Sequence, residues 1–228
     1  MLRAAALVSG DGAKLQALAD CVYFGEIPGF ELCVISSDPA AHALIRARNA
    51  GIPTYVVEEA LFPNGASYSL ALLNKLRDLD IDLVVLADFL PALGEGTSRL
   101  YHGRAIGVRP ALVPAFDRVK AADVCAQALR RGVKLVGATS YYADDRGDVG
   151  AIIDQKAVPV LPDDTAETLR RRITQDAEWD LITAAVKAHC SGMLRLADGR
   201  ALWGKPQSPA PQSPDPAEAE QKEEKTEA

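Results

Sequence analysis

At 228 residues, with 48% apolar and 25% charged side chains, the chain has the size and composition of one α/β domain or two small ones with an ample core. Its net charge is −6, and three lysines against six acids from Lys205 onward supply half of that, so the body has no electrostatic footprint for nucleic acid or an anionic membrane. Four scattered cysteines (Cys21, Cys33, Cys125, Cys190), none in a C-x-x-C pair, argue against a disulfide framework or zinc site and for reduced thiols in the cytoplasm.

Leu2 to Val8 is a continuous apolar run, as expected of a central parallel strand covered on both faces. Its apolar length is too short for a secretion leader, and no run approaches the ~20 residues of a membrane helix. It breaks into Ser9-Gly10-Asp11-Gly12-Ala13-Lys14, after which LQALADCVYFG has helical periodicity. Strand, glycine turn and helix start point backbone N–H groups and a helix dipole at an anion. The third glycine of a dinucleotide fingerprint is missing, and a tight turn with no ligand uses glycine equally well.

Phe30–Ser37 reads as a second strand, 39–50 as a helix ended by Gly51, and Thr54–Val57 as a third strand. Ala66–Leu79 is amphipathic, with Tyr68, Leu72, Leu76 and Leu79 on one face. Asp82–Ala87 is a fourth buried strand leading into the loop Asp88-Phe89-Leu90-Pro91-Ala92-Leu93. Alternating strands and helices predict a doubly wound, mostly parallel sheet.

Arg104 to Pro110 (RAIGVRP) is a further buried strand, and ALVPAF after it is an apolar loop that Pro114 keeps irregular. The carboxyl end of such a strand is where open α/β sheets bind ligands. A helix is expected over Ala121–Arg131. Leu135–Tyr142 and Ala151–Val160 follow as strands, joined too closely for a crossover helix and therefore antiparallel.

Asp164 is expected to cap a long helix, with Glu167 closing a capping box and Leu169, Ile173, Ala177 and Leu181 as its buried stripe. Arg170, Arg171 and Arg172 are expected on or beside its solvated side, with anion binding as the other reading. Met193–Trp203 reads as a hairpin around Asp198-Gly199. Residues 1–204 form the expected domain. Residues 205–228, rich in Pro, Gln and Glu, have too little apolar surface to order themselves and are expected to be a disordered tail.

In order and spacing, several blocks resemble glycinamide ribonucleotide formyltransferases. VSGDGAKLQAL resembles the family's substrate-phosphate loop, VISSDPAAHALIRARNAGIPTYVV its second strand, helix and third strand, and DIDLVVLADFLPAL its folate strand and loop. GVRPALVPAF stands where the family has N-I-H-P-S-L-L-P. TSYYADDRGDVGAIIDQKAVPVLPDDTAETL resembles its hairpin, with an aspartate at Asp148, and the following helix.

The resemblance implies a formyltransferase-like fold, a phosphorylated small-molecule substrate held by Gly10, Gly12, Ala13 and Lys14, and 10-formyltetrahydrofolate as cosubstrate along Asp88, Phe89, Leu90 and Leu93. It implies no metal, nucleic-acid or membrane partner, and leaves the oligomeric state open. The family reaction is attack of a primary amine on a formyl carbon, with an asparagine as oxyanion donor and a histidine and aspartate handling protons.

Here Gly107 holds the asparagine position, Arg109 the histidine position and Asp148 the aspartate position. Losing an oxyanion donor costs ~10²–10³ in rate. Losing acid–base help costs ~10²–10⁴, and the two losses are not additive. A guanidinium cannot exchange protons near neutrality, although Arg109 can offer fixed donors, with Asp148 as the expected partner. None of His42, His102 and His189 obviously replaces the missing histidine.

Other departures are Lys14 in place of asparagine, Asp88 and Pro91 in the folate loop, Gly65 in place of an arginine, and Asp117-Arg118 for Pro-Gly. Asp88 is expected either to charge an apolar wall or to turn to solvent. A substrate-amine glutamate falls at Glu178 only with a one-residue shift; otherwise Ala177 holds its place. The resulting expectation is a formyltransferase-like protein whose usual mechanism is impaired. The alternatives are a non-catalytic binder of a phosphorylated metabolite, or a transferase with a changed acyl donor or acceptor.

Overall fold

The computed structural model describes residues 1–204; the tail expected from Lys205 lies outside the described residues. Five parallel strands, β1 (Leu2–Val8), β2 (Phe30–Ser36), β3 (Thr54–Val56), β4 (Leu83–Leu86) and β5 (Ala105–Arg109), are extended by β6 (Leu135–Ala143) and β7 (Val149–Pro159). Together they form one sheet of order β3-β2-β1-β4-β5-β6-β7. Pairing is antiparallel only at β5–β6 and β6–β7. The chain winds outward from β1 through β2 to β3, then returns to β4 on the other side. The crevice beyond the carboxyl ends of β1 and β4 is therefore the topological switch point where such sheets bind ligands.

Residues Ala4 to Val8 on β1 have no solvent exposure, because helices cover both faces of the sheet. On one face lie α1 (Ala13–Tyr23) and α2 (His42–Asn49), contributing Leu15, Leu18, Leu44 and Ala47 to the core. Behind the other lies α3 (Gly65–Asp78), whose Tyr68, Leu72 and Leu76 pack on Leu7 and Val84. Each buried leucine contributes ~1.5–3 kcal/mol.

Several boundaries shift for local reasons. The helix expected from Pro39 begins at His42, because Asp38 accepts from Ala40 N–H and holds 38–41 as a turn. The short α4 (Glu95–Leu100) has no apolar periodicity and was not expected. The helix expected from Ala121 opens as a tight turn before α5 (Val124–Arg130).

The long helix is capped by Thr165 with Thr168 rather than by Asp164 with Glu167. Asp164 instead accepts from Arg172, Thr168 and Leu161 N–H. Arg172 is thus ion-paired and Arg170 turned inward, so the expected solvated arginine face is only partly present.

That helix is α6 (Ala166–Ile173), a π turn over Thr174–Glu178, and α7 (Trp179–Cys190). Its stripe of Leu169, Ile173, Ala177 and Leu181 is buried as expected. The π turn inserts one residue into the helical ladder, so Ala177 and Glu178 are both inside. The hairpin β8 (Leu194–Ala197) and β9 (Arg200–Trp203) turns on Asp198-Gly199, both at positive φ, as a two-residue turn requires.

Candidate active site

The crevice has two flanks. On the first, Gly12 at φ +77° enters α1, and a Cβ there would meet Ala43 Cβ at 2.6 Å, so only glycine fits. The helix has no side-chain cap and no acid in its first turn. Its leading N–H groups and dipole therefore remain available to an anion. The turn is braced from behind by Arg46, which donates to the Asp11 carbonyl and carboxylate. Ser9 ties three segments together: its hydroxyl is 2.6 Å from that of Ser37 and accepts from Leu90 N–H, and its N–H donates to the Asp88 carbonyl.

Lys14 does not point at the anion site. Its ammonium is buried, 2.5 Å from Asp88 Oδ1 and 3.1 Å from Glu178 Oε1. The other Glu178 oxygen accepts from Arg170 at 2.6 Å and Thr174 at 2.9 Å. Burial alone would discharge Lys14, but Glu178 and Asp88 outweigh it and hold the ammonium charged above the ordinary lysine range. Asp88 sits at φ +67°, a region natural to glycine. Its carboxylate neither charges the apolar wall nor turns free to solvent, because Lys14 takes it. Two departures from the family pattern thus form one ion pair.

Beyond Asp88 the loop remains apolar. Phe89 stacks on Tyr68 with ring centroids 6.4 Å apart, Leu93 is buried and Leu90 is exposed. The hairpin turn carrying Asp148 abuts this loop: a Cβ on Gly147 (φ +82°) would fall 2.9 Å from Leu93 Cβ. Asp148 is exposed, and its N–H donates to the Asp144 carboxylate.

The second flank is the end of β5. Arg109 does not pair with Asp148. One of its terminal nitrogens donates to the carbonyls of Phe116 (2.9 Å), Asp117 (3.0 Å) and Val119, while its Nε is buried without an acceptor. Arg109 therefore clamps the loop after β5. Thr139 braces the same loop from below, donating to the Ala111 carbonyl and accepting from Val113 N–H.

Gly107 has ordinary backbone torsion, so its lack of a side chain answers to space. A Cβ there would lie 2.5 Å from Tyr141 Cζ and 2.6 Å from the Tyr141 hydroxyl oxygen. Gly107 and Tyr141 face each other across β5–β6, and register shifts on either side of Tyr141 in β6–β7 mark a bulge. Bulges re-aim side chains. Lys14, Arg109, Asp148 and Asp144 all act electrostatically on the Tyr141 phenol. Tyr141, facing Gly107 across the strands, is the residue missed from the sequence; a cross-strand aromatic opposite glycine was the available signal.

The three histidines are placed elsewhere in the bonding scheme. His42 lies 3.4 Å from Asp11, and His102 is 2.9 Å from Asp145. His189 bonds the Tyr142 hydroxyl at 2.8 Å, and burial pushes its pKa down to about 4. Among the described residues no three His, Cys, Asp or Glu side chains converge as metal ligands would. No described helix is long and apolar enough to cross a membrane.

A switch-point crevice with an uncapped helix start, an apolar loop and an acidic hairpin defines an α/β protein of the formyl transferase class, and residues 2–186 match the family described as formyl transferase. The phosphoribosylglycinamide formyltransferase of Haemophilus influenzae is 31% identical over 201 residues, covering 88% of this chain and 93% of that protein. The chain belongs to this phosphoribosylglycinamide formyltransferase family. The trifunctional purine biosynthetic protein adenosine-3 of Bos taurus is 36% identical over 88% of this chain, which spans only 20% of that longer protein. The crystal structure of glycinamide ribonucleotide transformylase 1 from Symbiobacterium toebii superposes with a TM-score of 0.82 at 35% identity, covering 89% of this chain and 94% of that one.

Proposed function

We propose that this chain binds a phosphorylated ribose acceptor and 10-formyltetrahydrofolate across the crevice, and that it transfers the formyl group by a route weaker than the usual one of its family. The family assignment supports the substrates, and Arg109 carries the rest. In formyl transfer the acceptor nitrogen bonds to the formyl carbon as the bond from that carbon to the folate nitrogen breaks. The acceptor amine loses a proton and the folate nitrogen gains one. By the resemblance Arg109 holds the proton-handling position, yet its guanidinium is committed to loop carbonyls and offers donors only.

The residues present fit both ligands. The start of α1 with Gly10, Gly12 and Ala13 suits a phosphate. Phe89, Leu90 and Leu93 suit one face of a flat heteroaromatic ring, with Asp88 withdrawn to Lys14. Asp148 lies exposed at the hairpin turn. The cytoplasmic location follows from the same reading, with reduced thiols and a small-molecule reaction.

A direct assay with glycinamide ribonucleotide and 10-formyltetrahydrofolate tests this. Turnover above background but at least ~10²-fold below that of a relative with the asparagine and histidine is expected. Full family-level turnover would overturn the impairment.

A second reading keeps the fold and changes the acceptor. The carboxylate of Glu178 is fully buried and already matched by Lys14 and Arg170. An acceptor recognised mainly through its phosphate then replaces one recognised through its ammonium. Tight binding of ribose phosphates with no dependence on an amino group would favour it, as would a non-catalytic binder that shows no turnover at all.

A further inference from the structure

The Tyr141 hydroxyl is the polar atom closest to where a side chain on β5 would begin. Its oxygen lies 2.6 Å from the ideal Cβ position of Gly107, about the distance at which the functional end of a short side chain at position 107 would lie. It has no hydrogen-bond partner among the described residues, although the ring is half-buried and packed among Leu93, Phe89 and their neighbours. A polar atom brought to such a place without a protein partner is poised for a ligand.

Tyr141 sits opposite Gly107 across β5–β6, with its ring against that residue, and register shifts flank it on the β7 side. Gly107 is the residue that leaves room for it, so the two positions are one paired arrangement. Burial pushes the phenol above the ordinary tyrosine range, with Lys14 and Arg109 pulling the other way, so the hydroxyl keeps its proton at neutral pH and donates.

We infer that the Tyr141 hydroxyl is the hydrogen-bond donor to the formyl oxygen of the bound substrate, taking the place of a side-chain donor on β5. This rests on the folate-dependent reading above. Tyr141 thereby becomes a catalytic residue in the strict sense: it touches the oxygen on which negative charge develops. It supplies stabilisation of that charge and no proton transfer, so formyl transfer survives in weakened form.

The test uses Tyr141→Phe in the full chain, with 10-formyltetrahydrofolate and unformylated tetrahydrofolate titrated separately. Loss of one neutral donor is expected to weaken the formylated ligand about 3- to 10-fold. Binding of tetrahydrofolate and the melting temperature should be unchanged, because the lost hydroxyl has no protein partner. Turnover should fall a further ~10²-fold, since the donor matters most as charge develops. Equal affinities for both ligands in wild type and Tyr141→Phe would overturn the inference and leave the proposed function standing. Failure of the wild-type chain to bind either folate would remove both.

Discussion

The two flanks of the crevice are held in opposite ways. On the α1 side, buried charges come with partners: Lys14 with Asp88 and Glu178, and Glu178 with Arg170. On the β5 side, the two positions act on the protein itself. Arg109 holds a loop and Gly107 makes room for a ring. The first flank is tied together by charge, while the second is filled by volume. This predicts that the first is sensitive to changes of charge and the second to changes of volume.

The largest effect is expected at Glu178. Replacing it by Gln or Ala leaves Lys14 with Asp88 alone and strips Arg170 of its carboxylate partner in a largely buried site. Breaking such a pair from one side costs ~3–5 kcal/mol, to be read by urea unfolding. Because the folded-state pKa of Lys14 is raised, its contribution to stability is complete below its ordinary pKa and lost as pH rises through the folded value. The wild type should therefore lose stability only in strongly alkaline solution from this source. A Glu178→Ala variant as stable as wild type would show that the charges are not coupled.

Acid should reveal the other flank. His189 supports β6 through Tyr142, with Arg104 as the neighbouring charge, and its pKa is lowered to about 4. An unfolded histidine takes a proton near pH 6.5 and the folded one does not until about pH 4. Stability should therefore decline as pH falls through this window, by roughly 2–3 kcal/mol. His189→Gln should flatten that part of the profile, measured as the difference in unfolding free energy between pH 7 and pH 4.5. An unchanged slope in the variant would place the acid sensitivity in the carboxylates alone.

Volume is the sharper probe of β5. Gly107→Asn puts a Cβ into the Tyr141 ring and should cost ~1–3 kcal/mol, the usual range for overpacking. Combining it with Tyr141→Val should recover part of that, with a coupling of ~0.5–3 kcal/mol in a double-mutant cycle. Placing on β5 the asparagine and histidine that the resemblance implies therefore needs a third change on β6 before activity can be judged. Additive costs would mean that the ring can move aside.

The frame was legible in the sequence because it rests on local signals. Apolar runs such as Ala4–Val8, the glycine turn at Gly10–Gly12, the Asp198-Gly199 hairpin and the 169-173-177-181 stripe are each set by residues close in the chain. The site was legible only as a set of positions. That Asp88 meets Lys14, 74 residues away, and that Gly107 faces Tyr141 depend on register across the sheet, which periodicity does not report. The arginines at 170 and 172 were placed by helical phase, and their inward turn follows from acids at 178 and 164. The burial of both Ala177 and Glu178 was hidden for a similar reason: a π turn brings both inside, and no regular 3.6-residue pattern contains that extra residue.

The smallest effect expected is also the most discriminating for the charged flank. Asp88→Gly relieves a non-glycine residue at φ +67°, a conformation that costs ~1 kcal/mol or more. The same change deletes a charge-assisted bond to Lys14 from a carboxylate that is 35% exposed, a gain diminished by solvent. The two contributions oppose each other, and the net change in unfolding free energy should lie within ~1 kcal/mol of zero. Lys14 keeps Glu178 in either case, so the buried charge is never orphaned. Asp88→Asn separates the parts, since asparagine tolerates the left-handed region and still accepts a hydrogen bond but brings no charge. If Asp88→Gly is neutral while Asp88→Asn is destabilising, the charge is offsetting strain, and Asp88 serves the ammonium rather than the loop. A loss above ~2 kcal/mol for both would make the Lys14–Asp88 pair as central to the first flank as Glu178.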